Sequence, residues 1–246
     1  MTDGKIIWLE ETGSTNSWLS ENEHSLETNT AVAARRQTAG RGQRGNSWES
    51  EPGSNLTLSL LLRPEGIHVA RSFCLSEAVA VAVAETVEAI APGIKVAIKW
   101  PNDIYVGNRK LGGILIENSL SGAMVGRCIV GLGLNLNQRR FFSDAPNPVS
   151  LWQMTGLRFD VDDAARRIAA AMIREAADAQ QKYPELHSRY MSRLWRATGI
   201  HPFIETATGT TFHASVTDIL PTGHIQLERT DGTLLQFAFK EISWPL

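Results

Sequence analysis

The segment from Arg35 to Trp48 carries residue types that bind a polyanion. It reads RRQTAGRGQRGNSW, with four arginines, an amide at Gln37 and a closing indole at Trp48. Its glycines can take backbone conformations that other residues avoid, so successive N–H groups can converge on an oxyanion while the arginines supply charge. A purine stacked on Trp48 would add roughly 1 to 3 kcal/mol. The segment therefore predicts a nucleotide site.

Two other interpretations of this loop need weighing. The spacing of Gly40, Gly42 and Gly45 matches the GxGxxG fingerprint of dinucleotide-binding folds. That fingerprint requires a helix to begin on the glycines, whereas the residues that follow, NSWESEPGSN, are rich in turn formers, so we reject it. An ordinary surface loop remains the alternative, because glycine and arginine are common in turns.

A second polar cluster, KWPND, begins at Lys99, at the end of an apolar strand. By the two-residue period of strands, Lys99 lies on the face opposite the apolar residues. It is either a solvated charge or a cation directed into a cleft. Pro101 ends the strand, and Asn102 and Asp103 add an amide and a carboxylate beside the lysine. These groups predict a cluster of polar side chains at this end of the strand.

A third segment, CIVGLGLNLN at 128–137, places two glycines within an apolar strand. Glycine at such positions indicates close approach of a ligand or of another backbone. Asn135 and Asn137 alternate with leucines and would need partners if they lie in a core.

Composition limits the classes of function. The chain has 246 residues, 43% of them hydrophobic, and a net charge of -2, which argues against a protein whose main role is to hold nucleic acid. Cys74 and Cys128 are far apart and lack CxxC spacing, so we expect reduced thiols rather than a disulfide or zinc site. The histidines show no ligand spacing, so any metal is expected to arrive with phosphate. Without an evident leader or membrane span, we expect a cytoplasmic protein.

The hydrophobic pattern predicts the elements that position these groups. A helix follows Ser14 or Thr15 as its cap, and a long buried helix at 69–90 backs the sheet. Two strands joined at Gly107-Asn108 form a hairpin. The remaining predicted elements are strands at 5–9, 30–34, 55–62 and 128–137, a helix from Asp160 or Asp162 to about Lys182, and a helix from Pro184 toward Trp195. From Arg196 onward, the alternating segments TFHASVTDIL, HIQLER and LLQFAFKEI predict a small β-barrel of about fifty residues.

Taken together, five segments resemble the biotin protein ligases along the whole chain: GSTN (13–16), RRQTAGRGQRGNSW (35–48), KWPND (99–103), RKLGGILIE (109–117) and GLGLNLN (131–137). The resemblance implies an α+β fold, with a mixed β-sheet catalytic domain and helices related to class II aminoacyl-tRNA synthetases at 1–194, and an SH3-like β-barrel at 195–246. No winged helix of about sixty residues precedes the first strand. The chain therefore resembles the monofunctional form, for which no DNA partner is expected.

The resemblance also implies a two-step reaction. Biotin and Mg-ATP give biotinyl-5′-AMP and pyrophosphate, and a lysine of a biotin carboxyl carrier domain of a carboxylase then takes the biotinyl group. The carboxylate must approach a phosphate against a repulsion of about 4 kcal/mol at about 4 Å and an effective dielectric near 20. Arg41 and Lys99 are the expected catalytic cations.

By the same resemblance, the site residues fall into two overlapping sets. Those expected at biotin are Ser14, Thr15, Asn16, Gln37, Arg41, Gly42, Gln43, Lys99, Gly112, Gly113, Gly131 and Gly133. Those expected at ATP are Arg41, Arg44, Trp48, Lys99, Asn102 and Asn135. Asp103 and Lys110 are expected as further contacts without an assigned role, and no protein metal site is expected. Many relatives carry arginine where this chain has Gln43. We therefore hypothesise that Arg44 or Lys99 substitutes there, or that the adenylate is held less tightly.

Three alternatives remain open. A lipoate or octanoate ligase or transferase shares the architecture. A non-catalytic RNA or single-strand binder would use RGQRG and Trp48. A ligase-like protein without activity would only sequester biotin or the carrier. Because sheet edges often pair between subunits, a homodimer is also an expectation.

Overall fold

The computed structural model describes residues 5–142 and 147–245, apart from the side chain of Arg44. Its larger sheet has seven strands in the order β1-β2-β3-β7-β6-β5-β4. β1 and β2 are parallel, and the other neighbours are antiparallel. The strands are β1 (Ile6–Thr12), β2 (Ala31–Gln37), β3 (Leu56–Leu62), β4 (Val96–Lys99), β5 (Asp103–Val106), β6 (Arg109–Ser121) and β7 (Met124–Leu134).

Five α-helices accompany this sheet within the described residues. They are α1 (Thr15–Asn22), α2 (Phe73–Ile90), α3 (Leu151–Thr155), α4 (Val161–Asp178) and α5 (Tyr183–Ser192). The predicted helix at 69–90 is confirmed, although its first residues form a 3-10 turn, Val69–Arg71. Alanines and valines of α2 are buried in the main core, where α2 packs against α4 and α5. This core supports the sheet from behind the polar clusters.

The predicted N-cap of α4 is confirmed, whereas that of α1 differs from the prediction. Asp160 caps α4 through its side chain, which accepts from the backbone N–H groups of Asp162 and Asp163. Ser14 occupies the N-cap position of α1, but its side chain makes no capping hydrogen bond. The hydroxyl of Ser14 therefore has a different environment from that of an ordinary cap.

The prediction of two strands around Gly107-Asn108 was wrong in its count. The hairpin at Gly107 joins β5 to β6, and a further turn over residues 100–102 separates β4 from β5. Pro101, preceded by a cis peptide bond, lies in this turn. The polar end of KWPND is thus a tight connection between two antiparallel strands, with Lys99 paired in register with Asp103.

A second, five-stranded antiparallel sheet follows α5, in the order β11-β10-β9-β8-β12. Its strands are β8 (His201–Glu205), β9 (Thr211–Ile219), β10 (Ile225–Arg229), β11 (Leu234–Phe237) and β12 (Ile242–Ser243). Phe203, Phe212 and Ile219 are among its buried residues. The sheet agrees with the expected SH3-like module, although β8 was missed. A domain boundary between residues 194 and 195 stays a prediction.

The two sheets meet through specific contacts. The indole Nε1 of Trp100 donates to the carbonyl of Gly223 at 3.0 Å, and Phe239 packs edge-on against Trp100. His187 of α5 bridges the carboxylates of Glu77 and Asp218, with 2.9 Å on each side. The second sheet is therefore tied to the elements that hold KWPND.

The described residues also test the expectations about a membrane span and about the two cysteines. In residues 5–142 and 147–245, no helix has the length and apolar character needed to cross a bilayer. Cys74 and Cys128 are free and buried, as predicted.

Candidate functional site

A cavity of about 780 Å³ brings the sequence segments together. Its walls come from the start of α1, the arginine loop, the turn between β4 and β5, the middle of β6 and β7, and residues 239–244 of the second sheet. The predicted residues that line it are Ser14, Thr15, Asn16, Gln37, Arg41, Gly42, Gln43, Trp48, Lys99, Asn102, Asp103, Lys110, Gly113, Gly131, Gly133 and Asn135. The side chain of Arg44 lies outside the described part of the chain.

Gly112 does not line the cavity, contrary to expectation. A Cβ built on it would lie 2.8 Å from the carbonyl oxygen of Gly133 and 3.1 Å from Leu134. Gly112 therefore allows β6 and β7 to approach closely, which is a structural role.

Gly131 and Gly133 of β7 leave room for two side chains. A Cβ on Gly131 would lie 2.3 Å from Oδ1 of Asn16, and one on Gly133 would lie 2.2 Å from Cε2 of Trp48. The sequence predicted close approach of a ligand or of another backbone at these glycines, whereas the groups that approach them in the structure are side chains of α1 and of the arginine loop. Any larger residue at these positions would displace them.

A chain of polar groups closes one end of the cavity. Gln37 Oε1 accepts from the backbone N–H of Thr15 at 2.8 Å and from its hydroxyl at 3.1 Å. The Ser59 hydroxyl lies 2.7 Å from Thr15 Oγ1 and 2.5 Å from Asn16 Oδ1. Ser59 is fully buried in the mostly apolar β3 and was missed. The signal for it was a serine inside LTLSLLL.

Glu117 joins this polar chain to the arginine loop. Its Oε2 accepts from Asn16 Nδ2 and from Arg41 Nη2, at 2.7 Å in each case. Asn16 is 3% exposed and also lies 3.5 Å from the carbonyl of Leu115. The hydrogen-bonding groups of Asn16 are thus engaged within the protein. Glu117 lay in the motif RKLGGILIE but was not predicted as a site residue.

Two lysines supply positive charge. Lys99 Nζ donates to the hydroxyl of Tyr105 at 3.2 Å and lies about 5 Å from the rings of Tyr105 and Trp195. Burial lowers the pKa of Lys99, Lys110 adds to this effect, and Asp103 opposes it. Lys110 Nζ in turn pairs with Asp103 at 2.7 Å. Lys99 is therefore not the solvated charge that strand alternation alone allowed.

Trp48 lines the cavity, with its indole against β6 and β7. Its indole packs on Gly133 and lies near Gly113, and Lys110 Nζ is 5.8 Å from the ring. Its Nε1 is buried and has no hydrogen-bond partner among the described residues. A buried unpaired donor costs about 1 to 3 kcal/mol, so an acceptor on a bound molecule would stabilise this site.

The predicted asparagines differ in whether their side chains are fully hydrogen-bonded within the protein. Asn102 donates its amide to the carbonyl of Ile114, which fixes the β4–β5 turn against β6. Asn135 donates to the carbonyl of Val149 at 3.1 Å, whereas its Oδ1 is buried without a partner in the described part of the chain. Asn137 is satisfied on both sides by the backbone of Phe159.

A groove of about 240 Å³ adjoins the cavity and shares five lining residues with it. The shared residues are Gln43, Pro101, Asn102, Ile114 and Phe239. The others are Ser72, Phe73, Ser76, Ile116, Asn118, Thr222, Gly223, His224 and Ala238. Among the described residues that line this groove there is no Asp, Glu, Lys or Arg, in contrast to the main cavity.

The donor set limits how a metal could bind. Within the described ranges, no group of three or more His, Cys, Asp or Glu side chains could hold a metal ion. Among the described residues, the carboxylates that line the cavity are those of Glu49 and Asp103, and Asp103 pairs with Lys110. Mg²⁺ is commonly bound by one or two carboxylates together with substrate phosphates, and Asp103 fits that mode.

Comparison with known proteins supports the interpretation of the motifs. The sequence profile described as the biotin/lipoate A/B protein ligase family matches residues 8–135. Bifunctional ligase/repressor BirA of Escherichia coli is 34% identical over 193 residues, covering 77% of this chain and 58% of BirA. Biotin--[acetyl-CoA-carboxylase] ligase of Paracoccus denitrificans is 36% identical over 171 residues, covering 68% of this chain and 70% of that protein.

The fold comparison extends over almost the whole chain. The solved structure of biotin protein ligase from Aquifex aeolicus, in complex with biotin and ATP, has a TM-score of 0.80 and 26% identity and covers 97% of both chains. By sequence, the chain spans 44 to 60% of the length of the BirA proteins it matches.

Proposed function

Because the chain belongs to the biotin/lipoate A/B protein ligase family, we propose that it activates biotin with ATP and transfers the biotinyl group to a lysine of a carboxylase carrier domain. The observation that carries the proposal is a single cavity in which a neutral polar end lies beside three cations. The polar end is formed by Thr15 and Gln37, with Ser59 buried behind Thr15, and the cations are those of Arg41, Lys99 and Lys110. This arrangement suits a ligand with an uncharged polar head and a carboxylate tail.

The polar end fits a ureido group. Gln37 uses its Oε1 for Thr15, whereas its Nε2 has no hydrogen-bond partner among the described residues and can donate to a ureido oxygen. The hydroxyls of Ser14 and Thr15 lie at the same end and can accept from ureido N–H groups. Asn16, whose groups are engaged by Ser59 and Glu117, is a positioning residue on this proposal.

The cations fit the first half-reaction. An oxygen of the biotin carboxylate attacks the α-phosphorus of ATP, and the bond from that phosphorus to the pyrophosphate oxygen breaks. Arg41, Lys99 and Lys110 reduce the repulsion between the two anions and stabilise the charge that develops. Mg²⁺, bound with the nucleotide and held by Asp103, would neutralise charge on the leaving pyrophosphate. Trp48 would stack on the adenine.

The uncharged groove fits the second half-reaction. The amine of the acceptor lysine must attack the acyl carbon as a neutral group: the amide C–N bond forms, the bond from the acyl carbon to the AMP oxygen breaks, and AMP and a proton are released. A groove without carboxylates gives an ammonium group no counter-ion, and burial lowers the pKa of an amine. The groove therefore favours the nucleophilic form of a lysine that approaches between α2 and the second sheet. Gln43 lies where groove and cavity join.

Two further parts of the proposal concern the whole protein. We place the reaction in the cytoplasm, because two buried free thiols fit a reducing compartment. A homodimer remains a prediction, with β1 as the pairing edge: the opposite edge, β4, is already bridged by the backbone of Leu194.

The test is exchange of pyrophosphate into ATP by the purified protein in the presence of biotin, lipoate, octanoate or no acid. We expect exchange only with biotin. Lys99→Met and Lys110→Met should each lower it by about a hundredfold or more, because each removes a cation from the reacting anions. Lys95→Met is the matched control, since Lys95 immediately precedes β4 and does not line the cavity. Exchange with lipoate instead of biotin would contradict the proposed substrate, and no exchange with any acid would contradict the activity.

A further inference from the structure

Arg41, a cation that the substrates would need, forms an ion pair with Glu117. Arg41 Nη2 lies 2.7 Å from Glu117 Oε2, and the same oxygen accepts from Asn16 Nδ2. Arg41 lines the cavity, whereas Glu117 belongs to β6 and does not line it. In this structure, a carboxylate of the sheet therefore holds the arginine expected to bind a substrate anion.

Glu117 is itself held firmly on the sheet side. Its partner Asn16 is 3% exposed, receives a hydrogen bond from Ser59 and packs over Gly131. Glu117 is thus fixed by a buried amide at one contact and reaches the loop through Arg41 at the other.

The arginine loop is closed on itself, so the position of Arg41 is coupled to that of Trp48. The N–H of Gly42 donates to the carbonyl of Asn46 at 2.6 Å, and the N–H of Trp48 donates to the carbonyl of Gly40 at 2.9 Å. Arg41 and Ser47 form an antiparallel bridge. A contact that holds Arg41 therefore also holds the indole that lines the cavity.

We propose that Glu117 is an internal counter-anion that holds the arginine loop over the cavity and is displaced from Arg41 by the substrate anions. The inference rests on the proposed function, because it requires a carboxylate or phosphate as the competing ligand. Glu117 does not contact the substrates; it acts through Arg41 as a positioning residue.

The strength of the ion pair suits such an exchange. The side chains of Arg41 and Glu117 are 43% and 37% exposed, so solvent screens the pair. Exposed pairs of this kind change an equilibrium by about twofold to fivefold. A pair of that strength can order the loop without preventing a substrate anion from taking Arg41.

The test compares Glu117→Gln with Glu11→Gln in the full chain. Glutamine at 117 keeps an acceptor for Asn16 but removes the charge that pairs with Arg41. Glu11→Gln is the matched control, because Glu11 forms a similar exposed pair with Arg36 at 2.8 Å and does not line the cavity. Two quantities are measured: tryptic cleavage within residues 38–48 without substrates, and the KM values for biotin and ATP in pyrophosphate exchange.

We expect Glu117→Gln to raise loop cleavage without substrates by about twofold to fivefold, to lower KM by a similar factor, and to leave kcat nearly constant. Saturating biotin and ATP should make its loop as resistant as that of the wild type. Cleavage and KM equal to those of Glu11→Gln would overturn the inference. A raised KM would also overturn it, because Glu117 would then support the bound state.

Cleavage requires no catalysis, so the two proposals fail separately. If the wild type shows no biotin-dependent exchange, the proposed function fails and the competing-anion part of the inference fails with it. If exchange is biotin-dependent but Glu117→Gln behaves like the control in both measurements, only the inference fails.

Discussion

Gly133 shows how one residue sets the position of another. A Cβ at this position would lie 2.2 Å from Cε2 and 2.5 Å from Nε1 of Trp48, so the indole cannot keep its place above β7 if a side chain is added. The ring is the expected stacking surface for adenine. The effect of the glycine should therefore appear in nucleotide binding.

We predict that Gly133→Ala raises the KM for ATP in pyrophosphate exchange by about tenfold, because stacking on an aromatic ring contributes roughly 1 to 3 kcal/mol. The KM for biotin should change less. Gly126→Ala is the matched control on the same strand, where the new Cβ would meet only the Ser121 side chain at 3.1 Å and backbone atoms at longer distances. Equal KM values for ATP in the two variants would show that Trp48 does not stack on the nucleotide.

At this scale, the sequence predicted the types of residue in the cavity but not their pairings. The arginine loop, KWPND and the glycines of β7 were found because motif spacing is local information. Glu117 and Ser59 were missed because their importance depends on partners distant in the chain, 76 residues away in the pair of Glu117 with Arg41. Gly112 was assigned to the cavity because its motif could not show which glycine of a pair faces the neighbouring strand. The consequence of Gln43 for adenylate retention stays a prediction.

At the scale of elements, α2, α5 and β9 are joined by one ionisable cluster. His187 of α5 lies between Glu77 of α2, which is fully buried, and Asp218 of β9. Burial raises the pKa of Glu77 to about 7, although His187 opposes this shift. Burial lowers the pKa of His187, but the hydrogen bonds and charges of Glu77 and Asp218 outweigh burial and raise it.

Both shifts predict the same dependence of stability on pH. A group whose pKa is raised in the folded protein stabilises the fold below its unfolded pKa and loses that contribution as the pH rises through the folded pKa. For Glu77, the loss between its ordinary value of 4.5 and about 7 is about 3 kcal/mol. We therefore predict that the free energy of unfolding falls from pH 5 to pH 8 and that Glu77→Gln reduces this fall.

Urea unfolding at pH 5, 6, 7 and 8 measures this prediction. Glu85→Gln is the control, because Glu85 lies on the same helix and pairs with Arg189 while 39% exposed. Parallel curves for the wild type and Glu77→Gln would contradict the prediction.

The elements themselves were largely predictable from hydrophobic period and capping residues. The failures have physical causes. β5 was not recognised as a separate strand, although Pro101 was expected to end the preceding one, because the turn over residues 100–102 is so short. α3 is only five residues long, and its capping box of Ser150 and Gln153 gives a weak pattern. β8 was missed because Pro202 interrupts a short alternating run.

At the scale of the whole molecule, the second sheet completes the functional surface. Phe239, Ile242, Ser243 and Trp244 contribute to the cavity, and Thr222 and His224 contribute to the groove. The sequence predicted a separate β module but could not show this contact, because the packing of two sheets depends on surfaces rather than on local patterns. Removing the module would therefore alter the cavity itself, so deletion would not separate the two proposed half-reactions. A single substitution in the groove can.

Thr222→Trp should separate them. Thr222 is exposed in the turn between β9 and β10, where its hydroxyl lies 2.8 Å from Nδ1 of His224, and an indole there would fill part of the groove. We predict that transfer of biotin to the carrier falls by about tenfold or more, whereas biotin-dependent pyrophosphate exchange changes by less than about twofold, since a contact used only in the second step affects only that step. Thr230→Trp, at an exposed turn of the same sheet outside the groove, is the control for bulk and for folding.

Single-turnover transfer from preformed biotinyl-5′-AMP measures the second step directly. If Thr222→Trp transfers biotin as fast as Thr230→Trp, the acceptor lysine enters by another route. If pyrophosphate exchange falls together with transfer, the indole has disturbed the cavity, and the groove is not a separate passage.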